Sequence, residues 1–199
     1  MTDNPALKQV EILVKEYERA SADIRSIEAN NDKIVGFGLT LVGAGFTYGV
    51  IQSLVEVFFF LPVASIGVIL YTTLQYHNIL WIGGYKRAIE DKVNLIIGSD
   101  VMIWERVVSR HRTRVHVVNL SMTALYGTTI FAITWYSLYR IFSSHYGVLA
   151  WEYMWILLAF LILMGLAIKE MSTAFDRSYR AARELFGLPN LERIAEESE

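Results

Sequence analysis

Residues 34–55 read IVGFGLTLVGAGFTYGVIQSLV, 22 positions without a charge between Lys33 and Glu56. Crossing a hydrocarbon layer of about 30 Å at about 1.5 Å per residue takes about 20 helical residues. Three further charge-free stretches follow, at 57–85, 115–139 and 153–168. The last is shorter and reaches spanning length by drawing in Ala150, Trp151 and flanking side chains that can snorkel. This spacing predicts an all-α polytopic membrane protein with four transmembrane helices, an N-terminal cytosolic helix and a cytosolic extension of the last helix. The expected segments are a cytosolic amphipathic helix (1–33), transmembrane hairpin 1 (34–80), a cytosolic connection with an interfacial helix (81–114), transmembrane hairpin 2 (115–168) and a cytosolic helical tail (169–199).

Composition agrees with that class. Of 199 residues, 54% are hydrophobic and 19% are charged, below the roughly 25% charge of soluble domains. A net charge of −2 gives no basis for general nucleic-acid binding, which needs a concentrated basic surface. With no cysteine, disulfides, thiolate zinc sites, iron–sulfur clusters and thiol catalysis are excluded. The 33 mostly polar residues ahead of the first span are unlike the short basic start of a cleavable signal.

Lysine and arginine fix the expected orientation. Of 18 such residues, all but Arg140 fall in 1–33, 81–114 or 169–199, so the positive-inside rule places both termini and the central connection in the cytoplasm. Cysteines introduced at Ser53 and Ser144 should then react with an impermeant thiol reagent outside intact cells, and one at Ser21 should not. Labelling at Ser21 would reverse the topology.

In 5–33, Leu7, Val10, Val14, Tyr17 and Ile24 follow three- and four-residue steps with Ser21 at the missing beat, widened by Leu13 and Ile27. Such a stripe either packs beneath its own membrane domain or assembles subunits. Beyond the fourth span, Met171, Phe175, Tyr179, Ala182 and Phe186 recur at helical spacing, and Gly187 and Pro189 predict the stop; residues 190–199 are expected to fray. The connection predicts a short helix over 85–97 along the headgroups, a break at Gly98–Asp100 and a second helix from Val101. Lys86, Arg87, Arg110, Arg112 and Arg114 are candidates for anionic lipid contacts.

Within the spans, Gly45 and Gly49 form a small-xxx-small pair that permits close helix approach. Asn119 and Thr123 in span three, and Thr72, Thr73 and Gln75 in span two, need partners or water in hydrocarbon. Together, Gly45, Gly49, Asn119 and Thr123 are the candidate packing or pore-adjacent residues. Glu56 and Glu152 are candidate outer-mouth charges, which a ring of subunits would make cation-attracting. No enzyme is expected. The four histidines fall on separate segments, and no phosphate loop, His-Glu zinc pattern or nucleophile elbow is present; no cofactor or metal ligand is assigned.

The segment WIGGYKRAIEDKVN followed by VMIWERV, with Tyr85, Glu90, Trp104 and Glu105 at the matching positions, resembles a motif of small bacterial multispan membrane proteins. With the N-terminal helix and paired spans, the chain resembles the Hailong-type transmembrane effectors of anti-phage systems over about 1–187. That resemblance implies a bacterial inner-membrane location and regulation by a cytosolic nucleotidyltransferase or its oligonucleotide product. The expected function is a homo-oligomeric, lipid-embedded ion conductor that depolarises the membrane when a cytosolic restraint is released. The alternatives are a non-conducting anchor for a cytosolic partner and a small-solute transporter, the latter lacking a visible inverted repeat.

Overall fold

The computed structural model describes residues 5–105, 128–129, 131–144 and 147–188. Every regular element among them is helical: α1 (Pro5–Ile51), α2 (Val55–Ile97), α3 (131–142) and α4 (Gly147–Leu185). Helices α1, α2 and α4 are each long and apolar enough to cross a membrane. The protein is therefore a multi-span helical membrane protein. Most of the predicted third span, 115–127 with Asn119 and Thr123, lies outside the described residues.

The helices do not break where charge begins. Helix α1 runs through Lys33, joining the N-terminal amphipathic segment to the first apolar span. Helix α2 likewise continues past Lys86 to Ile97, so residues 85–97 are its last turns and not a separate interfacial helix. Gly83 and Gly84 stay in helical geometry inside α2, and the helix ends only where a residue turns left-handed. That residue is Gly98, at φ 74°, whose N–H reaches the Asn94 carbonyl at 2.8 Å. Residues 101–103 are irregular, and helical geometry resumes at Trp104 and not at Val101.

Two helix ends share one stop. At the end of α4, Gly187 sits at φ 62°, with Leu188 N–H on Arg183 O at 2.9 Å and Gly187 N–H on Glu184 O at 3.1 Å. This paired bonding is a Schellman motif. The turn after α1 repeats it, with Leu54 N–H on Gly49 O and Ser53 N–H on Val50 O, although Ser53 carries a side chain at φ 54°.

The chain divides into two units. Unit 1 comprises Met1–Glu28, Tyr76–Arg112 and Glu170–Glu199, and unit 2 comprises Ala29–Gln75 and Thr113–Lys169. In unit 2, Val42, Phe58, Leu61, Ile66, Ile141 and Leu157 form the buried cluster, with Phe46, Phe58 and Tyr136 rings in mutual contact at 5.4–6.3 Å. Small residues on α1 let α2 close in. A β-carbon at Gly49 would lie 3.2–3.3 Å from Phe58 and Val57, at Gly45 3.0 Å from Leu61, and at Gly38 only 2.4 Å from Val68. The hydroxyls of Thr72 and Thr73 donate to the carbonyls four residues earlier, as do those of Thr40, Thr47 and Ser65. The Ser65, Thr72 and Thr73 hydroxyls of span two are thus satisfied within their own helix, and they require no water path. Glu56 and Glu152 are exposed. So are Leu161, Ile162 and Leu163 of α4, on a stretch without polar side chains.

Candidate functional site

Unit 1 contains the chemistry-bearing cluster. The turns of α2 beyond Tyr76 present Ile89 and Val93 to Leu13 of α1, with Val10, Tyr17, Met102 and Phe186 around them. Ala88 meets Tyr179 and Ala182 of α4. The middle of the amphipathic stripe, Val10, Leu13 and Tyr17, packs against α2 within the chain, and Leu13 is its buried centre. Val10, Val14, Tyr17 and Ile24 are half-buried, whereas Leu7 remains 67% exposed.

Helix spacing places Lys86, Glu90 and Asn94 four residues apart on one face of α2, and all three are buried polar residues. Glu90, 1% exposed, receives the Tyr17 hydroxyl at 3.0 Å and the Glu105 backbone N–H at 2.9 and 3.0 Å on its two carboxylate oxygens. It caps the restart of helix at 104–105, where a negative group meets unsatisfied N–H donors. Lys86 donates to Glu105 Oε1 at 2.7 Å, and its ammonium lies 4.5 Å from the centre of the Tyr17 ring. Asn94 completes the clasp. Its side-chain oxygen accepts the Val101 and Met102 N–H groups at 3.0 and 2.8 Å, and its amide donates to Met102 O at 2.6 Å. Asn94 and Glu90 thus hold the 101–105 backbone, Lys86 holds the Glu105 side chain, and Tyr17 binds Glu90 to α1.

Lys86 was expected at a lipid headgroup, but at 6% exposure it is an interior cation. A buried ammonium requires a paired carboxylate because desolvation is severe, and Glu105 supplies it. Arg87 also leaves the expected lipid role: its guanidinium stacks 4.7 Å from the Tyr179 ring. Arg183 lies 5.3 Å from the same ring and 3.2 Å from Asp91, whose carboxylate accepts the Tyr179 hydroxyl. Lys92 donates to the Phe186 carbonyl at 2.8 Å, closing the C-terminal end of α4 onto α2.

Burial, reinforced by the Glu90 carboxylate, pushes the Tyr17 phenol above its ordinary range. Burial and the Asp91 bond do the same for Tyr179. Both hydroxyls remain proton donors where an unfolded tyrosine ionises, near pH 10. Their stabilisation is whole below that pH and is lost as pH rises through the folded-state values.

The sequence motif residues Glu90, Trp104 and Glu105 and the stripe residues Tyr17 and Ile24, read separately from the sequence, meet here. Tyr85 packs against Phe186 at the edge of the cluster. Sequence reasoning missed Asn94 and the Gly83–Gly84 pair; a β-carbon on Gly84 would lie 2.3 Å from Phe175 O. The small-xxx-small search finds pairs four apart on one helix, whereas this crossing uses one glycine against the backbone of α4. Beside the clasp lies a cleft of about 920 Å³, with Tyr17, Glu90 and Lys86 along one side and the 101–104 segment along another. Among the described residues, no group of three or more His, Cys, Asp or Glu is arranged to hold a metal ion. Comparison of the chain with protein-family models, curated proteins and solved structures finds no match.

Proposed function

We propose that the protein is an oligomeric, ion-conducting effector of the bacterial inner membrane, held closed by its cytosolic unit, as the resemblance to Hailong-type effectors suggests. The observation that supports this reading is helix continuity. Helices α1, α2 and α4 each contribute residues both to unit 2, with its apolar membrane-crossing segments, and to unit 1, with the buried clasp. A helix carries displacement along its length without a flexible joint, and a clasp with two arrangements is the element that an effector can bias. Releasing Tyr17 or the 101–105 segment from α2 would then alter the packing of the spans, and subunits gathered around the altered surface would pass ions. No covalent chemistry enters this scheme.

Conduction is tested with the full chain in liposomes. Tyr17→Phe removes only the hydroxyl that ties α1 to Glu90, so this variant should carry more current than the wild type at the same protein density. Its expression should depolarise cells at lower levels. Silence of both proteins across a wide voltage range, with a cytosolic protein still co-purifying, would make the chain an anchor.

A further inference from the structure

We infer that the cleft of unit 1 binds an amphipathic anion: one apolar body carrying a single carboxylate or phosphate. Its volume of about 920 Å³ falls within the range of small-molecule pockets, which are mostly apolar with a few placed polar groups. Ile24, Met102, Ile103 and Trp104 line it, and Trp104 is 64% exposed, a large aromatic surface left uncovered on a protein segment whose backbone is rigidly held by Asn94 and Glu90. Exposed apolar surface anchored in this way marks a binding region.

The polar lining sets the sign of the ligand. Lys86 is satisfied by Glu105, Glu90 by Tyr17 and the Glu105 N–H, and the Ser21 hydroxyl donates to Tyr17 O at 2.8 Å. Arg25, also on the cleft wall, is exposed and makes no ion pair with a carboxylate among the described residues. A guanidinium beside an aromatic and aliphatic wall recognises a carboxylate or phosphate with a bidentate pair while the apolar body covers the wall. A cationic ligand would meet Arg25 with no free carboxylate opposite. A neutral apolar one would leave Arg25 unused.

Two sources share this chemistry, a free fatty acid and an anionic phospholipid. The site goes beyond the proposed conduction and is read by binding alone, so a silent channel would leave it intact. Radiolabelled oleate is titrated into the full chain in nanodiscs of phosphatidylcholine. Saturable binding is expected. Arg25→Glu, at an exposed position that should not disturb folding, should weaken it at least tenfold, and Arg25→Lys should retain most of it. Oleyl alcohol, which lacks the charge, should compete at least tenfold less well than unlabelled oleate. Ile103→Glu should also weaken binding, separating a contact in the cleft from charge attraction alone. Discs containing phosphatidylglycerol assign the source: reduced oleate binding identifies the phospholipid as occupant, and unchanged binding identifies the free acid. Wild-type affinity in folded Arg25→Glu, or equal competition by the alcohol, overturns the proposal.

Discussion

Gly84→Ala should strongly destabilise unit 1, while Gly83→Ala one residue away should be tolerated. A β-carbon at Gly84 would lie 2.3 Å from the Phe175 carbonyl oxygen and 2.9 Å from the Tyr179 nitrogen. Both are backbone atoms of α4, so no rotamer change relieves the overlap and the helices must separate. Overpacking of a tight contact costs about 1–3 kcal/mol, occasionally more, and the upper part of that range is expected because backbone must move. Separation would also loosen the contacts of Tyr179 and Ala182 with Ala88. At Gly83 the nearest atoms are Phe175 ring carbons at 3.5 Å, an ordinary contact, and alanine gains about 1 kcal/mol of helix propensity over glycine. Thermal unfolding of both variants in one detergent decides the matter. Equal midpoints would mean that the α2–α4 crossing is not backbone-limited.

The second large effect is expected at Lys86. Its side chain and that of Glu105 are 7% and 11% exposed, so Lys86→Met strands a carboxylate that has lost its counter-ion inside the protein. Breaking a buried pair from one side costs about 3–5 kcal/mol. Replacing both partners with apolar residues, Lys86→Met with Glu105→Leu, should recover part of that loss, because the Glu105 carboxylate goes with its counter-ion while the Glu90 carboxylate keeps the Tyr17 hydroxyl and the backbone N–H of residue 105. A double-mutant cycle on denaturant midpoints measures the coupling. Additive losses in the double variant would show that the two side chains act independently.

The legible part of this protein was its solvent preference. Uncharged runs at 34–55, 57–85 and 153–168 correspond to segments of α1, α2 and α4, because in hydrocarbon a backbone must satisfy its own hydrogen bonds and a helix does so locally. The stop at Gly187 was legible for a similar reason, since the left-handed residue and its two bonds lie within one turn. The stripe of 5–33 was legible as a helix face but not in its destination. Periodicity shows that Leu13 and Tyr17 share a side; it does not say that Ile89, Val93 and Glu90 lie opposite.

Lys86 shows most plainly where sequence reading ended. Next to an apolar span, a lysine has two physical solutions, a lipid phosphate or a buried carboxylate, and local sequence contains no term that separates them. Glu105 is 19 residues away, and it reaches Lys86 only because Gly98 ends α2 and Asn94 turns the following backbone back along it. The unbroken passage of α2 through 85–97 has the same origin: a charged stretch ends a membrane span but does not end a helix. The sequence by itself determined that the chain is helical, that its apolar runs are long enough for a bilayer and where its glycine stops fall, since these depend on interactions within a few residues. Only the tertiary structure decided that Lys86 turns inward to Glu105 in an ion-paired clasp, because burial of a charge is settled by partners distant in the chain.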